Sequence, residues 1–324
     1  MKKAVAFLLL FLLLCFSALA DEVAFGSVSF DRDAEYIDLG DQVVKDYTAF
    51  IAFLKEFPNL KKVDMFATQI TSAQVGRLTK ALPDVEFGWK LQLMKYKYKH
   101  IVRTDATAFS TLHGKCPNHR SEEFALLNYC TNLLALDLGH NNLTDLSFLR
   151  SMPRLRVLIL GENQKLKNIE EIGNLQDLEY LELFTCSISD ISPLTKLTRL
   201  MDLNLANNKV KDWRPLKEMK WLRRLWISGM TAAAMTSAEK KELQEALPDT
   251  EIMFKGNPTD NGWRYYNDKK ADKSADNLVP HYAVVYEMFR TGVYIPFEES
   301  APLPGEEPDS WLPEETDIEE ETMN

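Results

Sequence analysis

His113, Cys116 and His119 stand at three-residue intervals, and Cys130 follows further along the chain. Imidazole nitrogen and thiolate sulfur are the ligand types that hold zinc in a tetrahedral site. The H-x-x-C-x-x-H spacing matches no common zinc module. Its Gly/Pro/Asn/His-rich setting reads as a surface loop leading into a helix over Ser121–Tyr129. The same cysteines can instead be free thiols or pair as Cys116–Cys130 in an oxidising compartment. We take the loop reading and assign no metal and no other cofactor. Trp263, Tyr265 and Tyr266 form an aromatic cluster of the type that stacks on sugar rings, or else one that plugs the end of a hydrophobic core. No nucleophile elbow, phosphate loop or metalloprotease helix is present, and 48 acidic residues produce carboxylate pairs by chance. No catalytic residue is assigned, and the expectation is a protein that is not an enzyme.

The elements that would position any of these residues are written in a periodic comb of leucines. The spacing L-x-x-L-x-L-x-x-N runs Leu133, Leu136, Leu138, Asn141, then Leu155, Leu158, Leu160, Asn163. It continues as Leu178, Leu181, Leu183, Cys186, then Leu200, Leu203, Leu205, Asn208, and opens a fifth time at Leu222, Leu225, Ile227. Strand side chains alternate faces, so positions 1, 4 and 6 point inward and positions 3, 5 and 7 outward. An Asn at position 9 carries both donor and acceptor, which suits a buried turn whose backbone would otherwise go unpaired. Cys186, small and weakly polar, replaces it in the third copy. Apolar residues then recur every third position, as in Leu143, Leu146, Leu149, Met152, which suits 3₁₀ crossovers. The second copy carries one extra residue near Lys165, expected as a bulge.

On these residues the chain resembles the internalin-like class of bacterial secreted leucine-rich repeat proteins, and Ser189–Leu200 (S-D-I-S-P-L-T-K-L-T-R-L) is similar to that family's wording. The resemblance implies an α/β leucine-rich repeat solenoid, a horseshoe with a parallel concave β-sheet and a helical or 3₁₀ convex side, capped at both ends. It also implies roles in adhesion or in contact with host or neighbouring cells. The architecture itself carries unrelated activities.

Irregular copies flank the comb. Ile37-Asp38-Leu39 and Val63-Asp64-Met65 read as strands, with helices over Val44–Phe57 and over Ala73–Leu82 capped by Ser72. The stretch Leu78–Phe87 is echoed by Leu243–Ile252, each a helix end, a Pro-Asp turn and a strand start. A solenoid end exposes core unless covered, and Asp260–Phe297 is assigned to that task at the last repeat. It contains a helix from Leu278 to Arg290 that turns Tyr282, Val285, Tyr286 and Phe289 to one side and stops at Gly292. The solenoid is expected to run from about Ile37 to Phe254.

Lys2-Lys3, an apolar run and Ala18-Leu19-Ala20 have the form of a cleaved signal peptide, which implies export to the periplasm, the cell surface or beyond. No later stretch is long enough to insert in a membrane. Net charge is −10, concentrated in Glu298–Asn324, which holds eleven acidic residues and no Lys or Arg. That tail reads as a disordered, solubilising end. The body offers no basic surface for nucleic acid. The organisation is therefore 1–20 signal peptide, 21–132 irregular repeats, 133–229 regular repeats, 230–297 last long repeat and cap, and 298–324 tail.

The register identifies the residues that line the concave face. They include Asp137, Ile159, Tyr180, Glu182, Phe184, Asp202, Asn204, Arg224 and Trp226. Aromatic side chains mixed with charge are the usual material of binding hot spots. These nine are expected to face solvent and to bind a protein or peptide partner, with a carbohydrate or cell-wall ligand at the aromatic cap as the alternative.

Overall fold

The computed structural model describes residues 21–93, 100–111, 118–260, 262–267 and 275–297. The expected signal peptide, the acidic tail, His113 and Cys116 lie outside the described residues. The chain forms two compact units. One runs to Gln92 and includes Ile101–Asp105; the other holds Leu93, His100 and the chain from Ala106 onward.

The first unit opens with an antiparallel hairpin of β1 (Glu22–Phe25) and β2 (Val28–Asp31). A four-stranded sheet follows. Strands β3 (Tyr36–Asp38), β4 (Lys62–Gln69) and β5 (Glu86–Gln92) are parallel, and β6 (Ile101–Arg103) runs antiparallel to β5. Both irregular repeat strands read from the sequence are therefore present. Helix α1 (Tyr47–Leu54) is shorter than Val44–Phe57, because Val44 N–H donates to Thr68 Oγ1 at 3.0 Å and Asp46 makes the cap. The Asp46 carboxylate accepts the N–H groups of Thr48 and Ala49 at 2.8 and 3.1 Å, satisfying donors that the first helical turn leaves open. Helix α2 (Ser72–Ala81) is capped by Thr71 rather than Ser72, in a reciprocal box with Gln74.

The second unit is built on a sheet of seven parallel strands. They are β7 (Ala108–Ser110), β8 (Ala135–Asp137), β9 (Val157–Ile159), β10 (Tyr180–Glu182), β11 (Asp202–Asn204), β12 (Arg224–Trp226) and β13 (Glu251–Met253). The position-4 residues pair in one row, from Phe109 through Leu136, Leu158, Leu181, Leu203 and Leu225 to Ile252. The five leucines of that row are fully buried. Crossovers Ser147–Ser151, Glu170–Asn174 and Ser192–Lys196 are 3₁₀, as the three-residue period requires, and so is Ser121–Tyr129, which was expected as a helix. The next crossover is a single turn of α-helix, α3 (Arg214–Lys217). Helices α4 (Met230–Ala233) and α5 (Ser237–Ala246) lead into β13. The sequence echo is real: α5 carries a Thr236–Glu239 capping box where α2 carries Thr71–Gln74, and each helix leads through a Pro-Asp turn into a strand.

Position 9 works as a ladder. Asn163 accepts the Leu143 N–H through Oδ1 at 3.0 Å and donates to the carbonyls of Leu138 and Leu160. Asn208 repeats the pattern with Ile188 N–H, Leu183 and Leu205. Cys186 breaks it for a local reason. The extra residue in the second repeat turns the Leu166 N–H back onto the Asn163 carbonyl at 2.8 Å, so that amide is not left for a position-9 oxygen to accept. The Cys186 thiol instead lies 3.5 Å from the Leu160 carbonyl, and burial pushes its pKa up to about 12.

Candidate functional site

Chain beyond β13 does not stop at the last repeat. It turns back across the sheet face opposite the crossovers. Helix α6 (Pro280–Thr291) packs on β7 and β8 and ends at Gly292, whose positive φ of 75° suits glycine. The Gly292 carbonyl then accepts the Ala108 N–H at 3.1 Å, and Tyr294 N–H donates to Thr107 Oγ1 at 2.8 Å. Trp263, Tyr282, Val285, Met288, Phe289 and Phe297 pack with Ala135, Val157, Ile159, Tyr180 and Trp226 in one buried cluster. Tyr286, expected on the same side of the helix, is 45% exposed.

This segment corrects the accessibility expected of the face. Asp137, Ile159, Tyr180, Glu182, Phe184, Asp202, Asn204, Arg224 and Trp226 do lie on the face away from the crossovers, but all nine are buried. The apolar and charged side chains among positions 3, 5 and 7 pack against polypeptide, and the polypeptide is the described part of the chain's own residues 258–297. The cap was expected to close the last repeat. It lies over the sheet instead, leaving Ile252 and Met253 of β13 half-buried.

Two buried ionic clusters fasten it. Glu182 accepts hydrogen bonds from Trp263 Nε1 at 2.7 Å and Arg264 Nε at 2.9 Å, and further ones from Arg264 Nη2 and the Tyr180 hydroxyl. Asp202 receives His281 Nδ1 at 2.6 Å and a two-point contact from Arg224, whose Nη1 donates on to the Gly262 carbonyl at 2.9 Å. Burial alone would raise the Asp202 pKa, but Arg224 and His281 outweigh it and hold the carboxyl well below the usual range. Burial and the adjacent Glu182 push the Tyr180 hydroxyl well up. Among the described residues, Asp137 has no such cation in contact. It accepts Ser110 Oγ at 3.0 Å and Gly139 N–H at 2.9 Å, and burial raises its pKa to about 6. Asn204 reaches the Pro258 carbonyl at 2.7 Å, and the Arg264 guanidinium lies 5.4 Å from the Phe184 ring centre.

Trp263 is fully buried between Tyr180 and Trp226, with ring centres 5.4 and 5.2 Å away, and Tyr265 is 8% exposed. Trp263 is therefore not an open stacking surface for a sugar; Tyr265, though mostly buried, borders a cavity. Arg264, His281 and Phe297, which the residue spacing did not single out, carry as much of the contact as the residues that it did. Their signal is faint: an Arg between Trp263 and Tyr265, and a His behind the helix-initiating Pro280. His119 and Cys130 of the suggested metal set are both buried; His119 Nδ1 lies 3.4 Å from Glu123.

The other sheet presents a different face. In the first unit Tyr36 is 50% exposed and donates to Asp64 Oδ2 at 2.9 Å. Arg103 grips Asp105 at 2.9 and 2.8 Å and lies 3.5 Å over the half-buried Phe66 ring. Asp38 and Lys90 beside them are exposed. Burial and the neighbouring Asp64, Asp38 and Asp105 push the Tyr36 pKa up to about 12, so the hydroxyl is a donor at physiological pH.

Parallel three-residue strands, 3₁₀ crossovers and the position-9 ladder together define a leucine-rich repeat solenoid. The family described as Leucine Rich repeats (2 copies) matches residues 131–174. Among solved structures, the chain is similar to internalin C2 of Listeria monocytogenes, with 20% identity over 64% of this chain and 69% of that one at a TM-score of 0.32. It is similar also to a leucine-rich repeat protein of Leptospira interrogans, with 20% identity over 62% of this chain and 45% of that one (TM-score 0.36). A third similarity is to internalin InlF of Listeria monocytogenes, with 17% identity over 64% and 66% of the two chains (TM-score 0.31). The match therefore spans under half of the Leptospira chain. No curated protein matches the sequence.

Proposed function

We propose that this is an exported, non-catalytic recognition protein that binds a protein partner through the sheet face of its N-terminal unit. One observation carries the reading: this sheet leaves Tyr36 and the Arg103–Phe66 stack open, whereas the face of the seven-stranded sheet is filled from within the chain. Tyr and Arg held in place by neighbours contribute most to protein interfaces, because little rotamer freedom remains to be lost on binding. Arg103 is fixed by Asp105 and Phe66, and Tyr36 by Asp64. Asp38, Asp64 and Asp105 around them favour a partner that brings basic or amide groups. The nine residues of the larger sheet serve an internal peptide, and an external partner reaches them only when that segment lifts.

The leader-like N-terminus supports export, and no helix among the described residues is long and apolar enough to cross a membrane. Adhesion to host or neighbouring cells is the role that the internalin-like resemblance favours. Capture from native extracts tests the reading. Wild-type protein should retain a partner that Tyr36→Ala combined with Arg103→Ala loses, while Tyr286→Ala on the outer side of α6 retains it. Equal capture by wild type and both variants rules the N-terminal face out.

A further inference from the structure

A cavity of about 320 Å³ opens in the second unit, between the ends of β8–β11 and the loop that carries the chain onto the sheet. Its size falls at the lower end of small-molecule sites, about 300–1,000 Å³. The loop that forms one wall is held rigidly, by Asn204 Nδ2 on the Pro258 carbonyl at 2.7 Å and by Arg264 N–H on the Thr259 carbonyl at 3.0 Å.

The polar atoms that remain for a ligand can be deduced one by one. The Oδ1 of Asn207 accepts the Met230 N–H at 3.1 Å, and that of Asn257 accepts the Thr259 N–H at 3.1 Å. A backbone nitrogen only donates, so both amide orientations are fixed and both NH₂ groups remain available. Arg264 commits Nε and Nη2 to Glu182, and Nη1 bonds to no described residue. The Glu162 carboxylate, also lining the cavity, has no partner among the described residues. Phe184 and Tyr265 supply aromatic walls; the Phe184 ring lies where a Cβ on Gly161 would sit, 2.3 Å away, so that glycine makes room for it.

Charge then selects among ligands. The Arg264 cation is already neutralised by Glu182, and Asp137 lies in the same electrostatic neighbourhood. With Glu162 added, the site carries no surplus positive charge to attract an anion. It offers several N–H donors, one strong acceptor and aromatic surface, which is the complement of a ring with hydroxyls on its edge and C–H groups on its face. We infer that this cavity binds a neutral pyranose sugar, free or at the end of a glycan. The inference is independent of the partner reading above, since none of its residues lies in the N-terminal unit.

Saturation-transfer NMR with glucose, galactose, mannose and glucuronate as probes tests it on the full chain. At least one neutral hexose should receive saturation at millimolar concentration, and glucuronate should bind more weakly. Asn257→Ala and Glu162→Gln, both on residues outside the core, should each weaken binding about tenfold, the loss of about 1.4 kcal/mol, with unchanged circular dichroism. Maltotriose, galactotriose and mannotriose locate the source. Tighter binding of the trimer of the bound hexose than of the hexose itself indicates a chain end, and equal binding a free sugar. No transfer from any of the three hexoses, unchanged binding in both variants, or glucuronate binding as well as the hexoses would overturn the inference.

Discussion

Arg264 grips Glu182 with two hydrogen-bonding nitrogens across 82 residues of sequence, and both side chains are buried. Removing one partner from such a pair leaves an uncompensated charge in the interior, at about 3–5 kcal/mol. Arg264→Ala is therefore expected to lower the unfolding free energy by that amount in urea titration. Arg264→Met combined with Glu182→Met should recover much of the loss, because it removes both charges and keeps apolar volume. A double variant no more stable than the single one would show that packing, not the uncompensated charge, carries the effect.

Trp263→Ala removes a fully buried indole and its bond to Glu182, and a loss of about 3–5 kcal/mol is expected. The damage should be local before it is global. Hydrogen exchange in residues 278–297 is expected to quicken while β8–β11 keep their protection. Uniform acceleration across the sheet would mean that cover and solenoid unfold as one unit.

Asp137 and Asp202 respond to pH with opposite sign. The Asp137 pKa rises to about 6 in the folded chain from 3.8, so the native state holds the proton longer than the unfolded state does. Stability then falls as pH rises from about 4 to 6, by about 3 kcal/mol in all. Asp137→Asn keeps an oxygen for Gly139 N–H and an amide for Ser110, and is expected to stabilise the protein at pH 8 but not at pH 4. Asp202 is held below its ordinary value by Arg224 and His281; its contribution is present above about pH 4 and is lost as acid protonates it. Thermal melts of wild type, D137N and D202N across that range separate the two.

The position-9 ladder predicts unequal costs for similar substitutions. Asn208→Ala strips a partner from the Ile188 N–H and from two buried carbonyls, and about 1–3 kcal/mol is expected for each group left unsatisfied. Cys186→Asn should bring no gain, because the Leu166 N–H is already taken. Melting temperatures of N208A and C186N test both; a marked stabilisation by C186N would refute this account of the broken ladder.

The comb was legible because burial of a two-residue and a three-residue period leaves a direct mark on composition. β7 leaves no such mark, because Ala106, Phe109 and Thr111 occupy the comb positions and none is leucine. The hairpin of β1 and β2 leaves only a faint mark in the sequence, Gly26 between two four-residue strands. The strand register places the outward residues on their face, and burial replaces the solvent they are expected to meet. Strand period tells which face a side chain occupies and is silent about what covers that face. A charged residue such as Glu182 looks the same in sequence whether water or Arg264 meets it. The cover is read only from long-range pairing, here between residues such as Arg224 and Gly262, 38 apart, or Thr107 and Tyr294, 187 apart, for which a single sequence holds no periodic signal.

Repeat arrays ordinarily grow and shrink by whole units, since each unit touches only its neighbours. Here the returning segment touches Asn204 through Pro258 near one end of the sheet and Ala108 through Gly292 at the other. It acts as a ruler. Inserting one further 22-residue copy between β8 and β10 would move those attachment points apart by about 4.8 Å, so each added copy would have to be matched by a change in the segment that spans them. Duplication of a repeat, the usual route by which such proteins gain binding surface, is thereby tied in this part of the chain to the length of its cover.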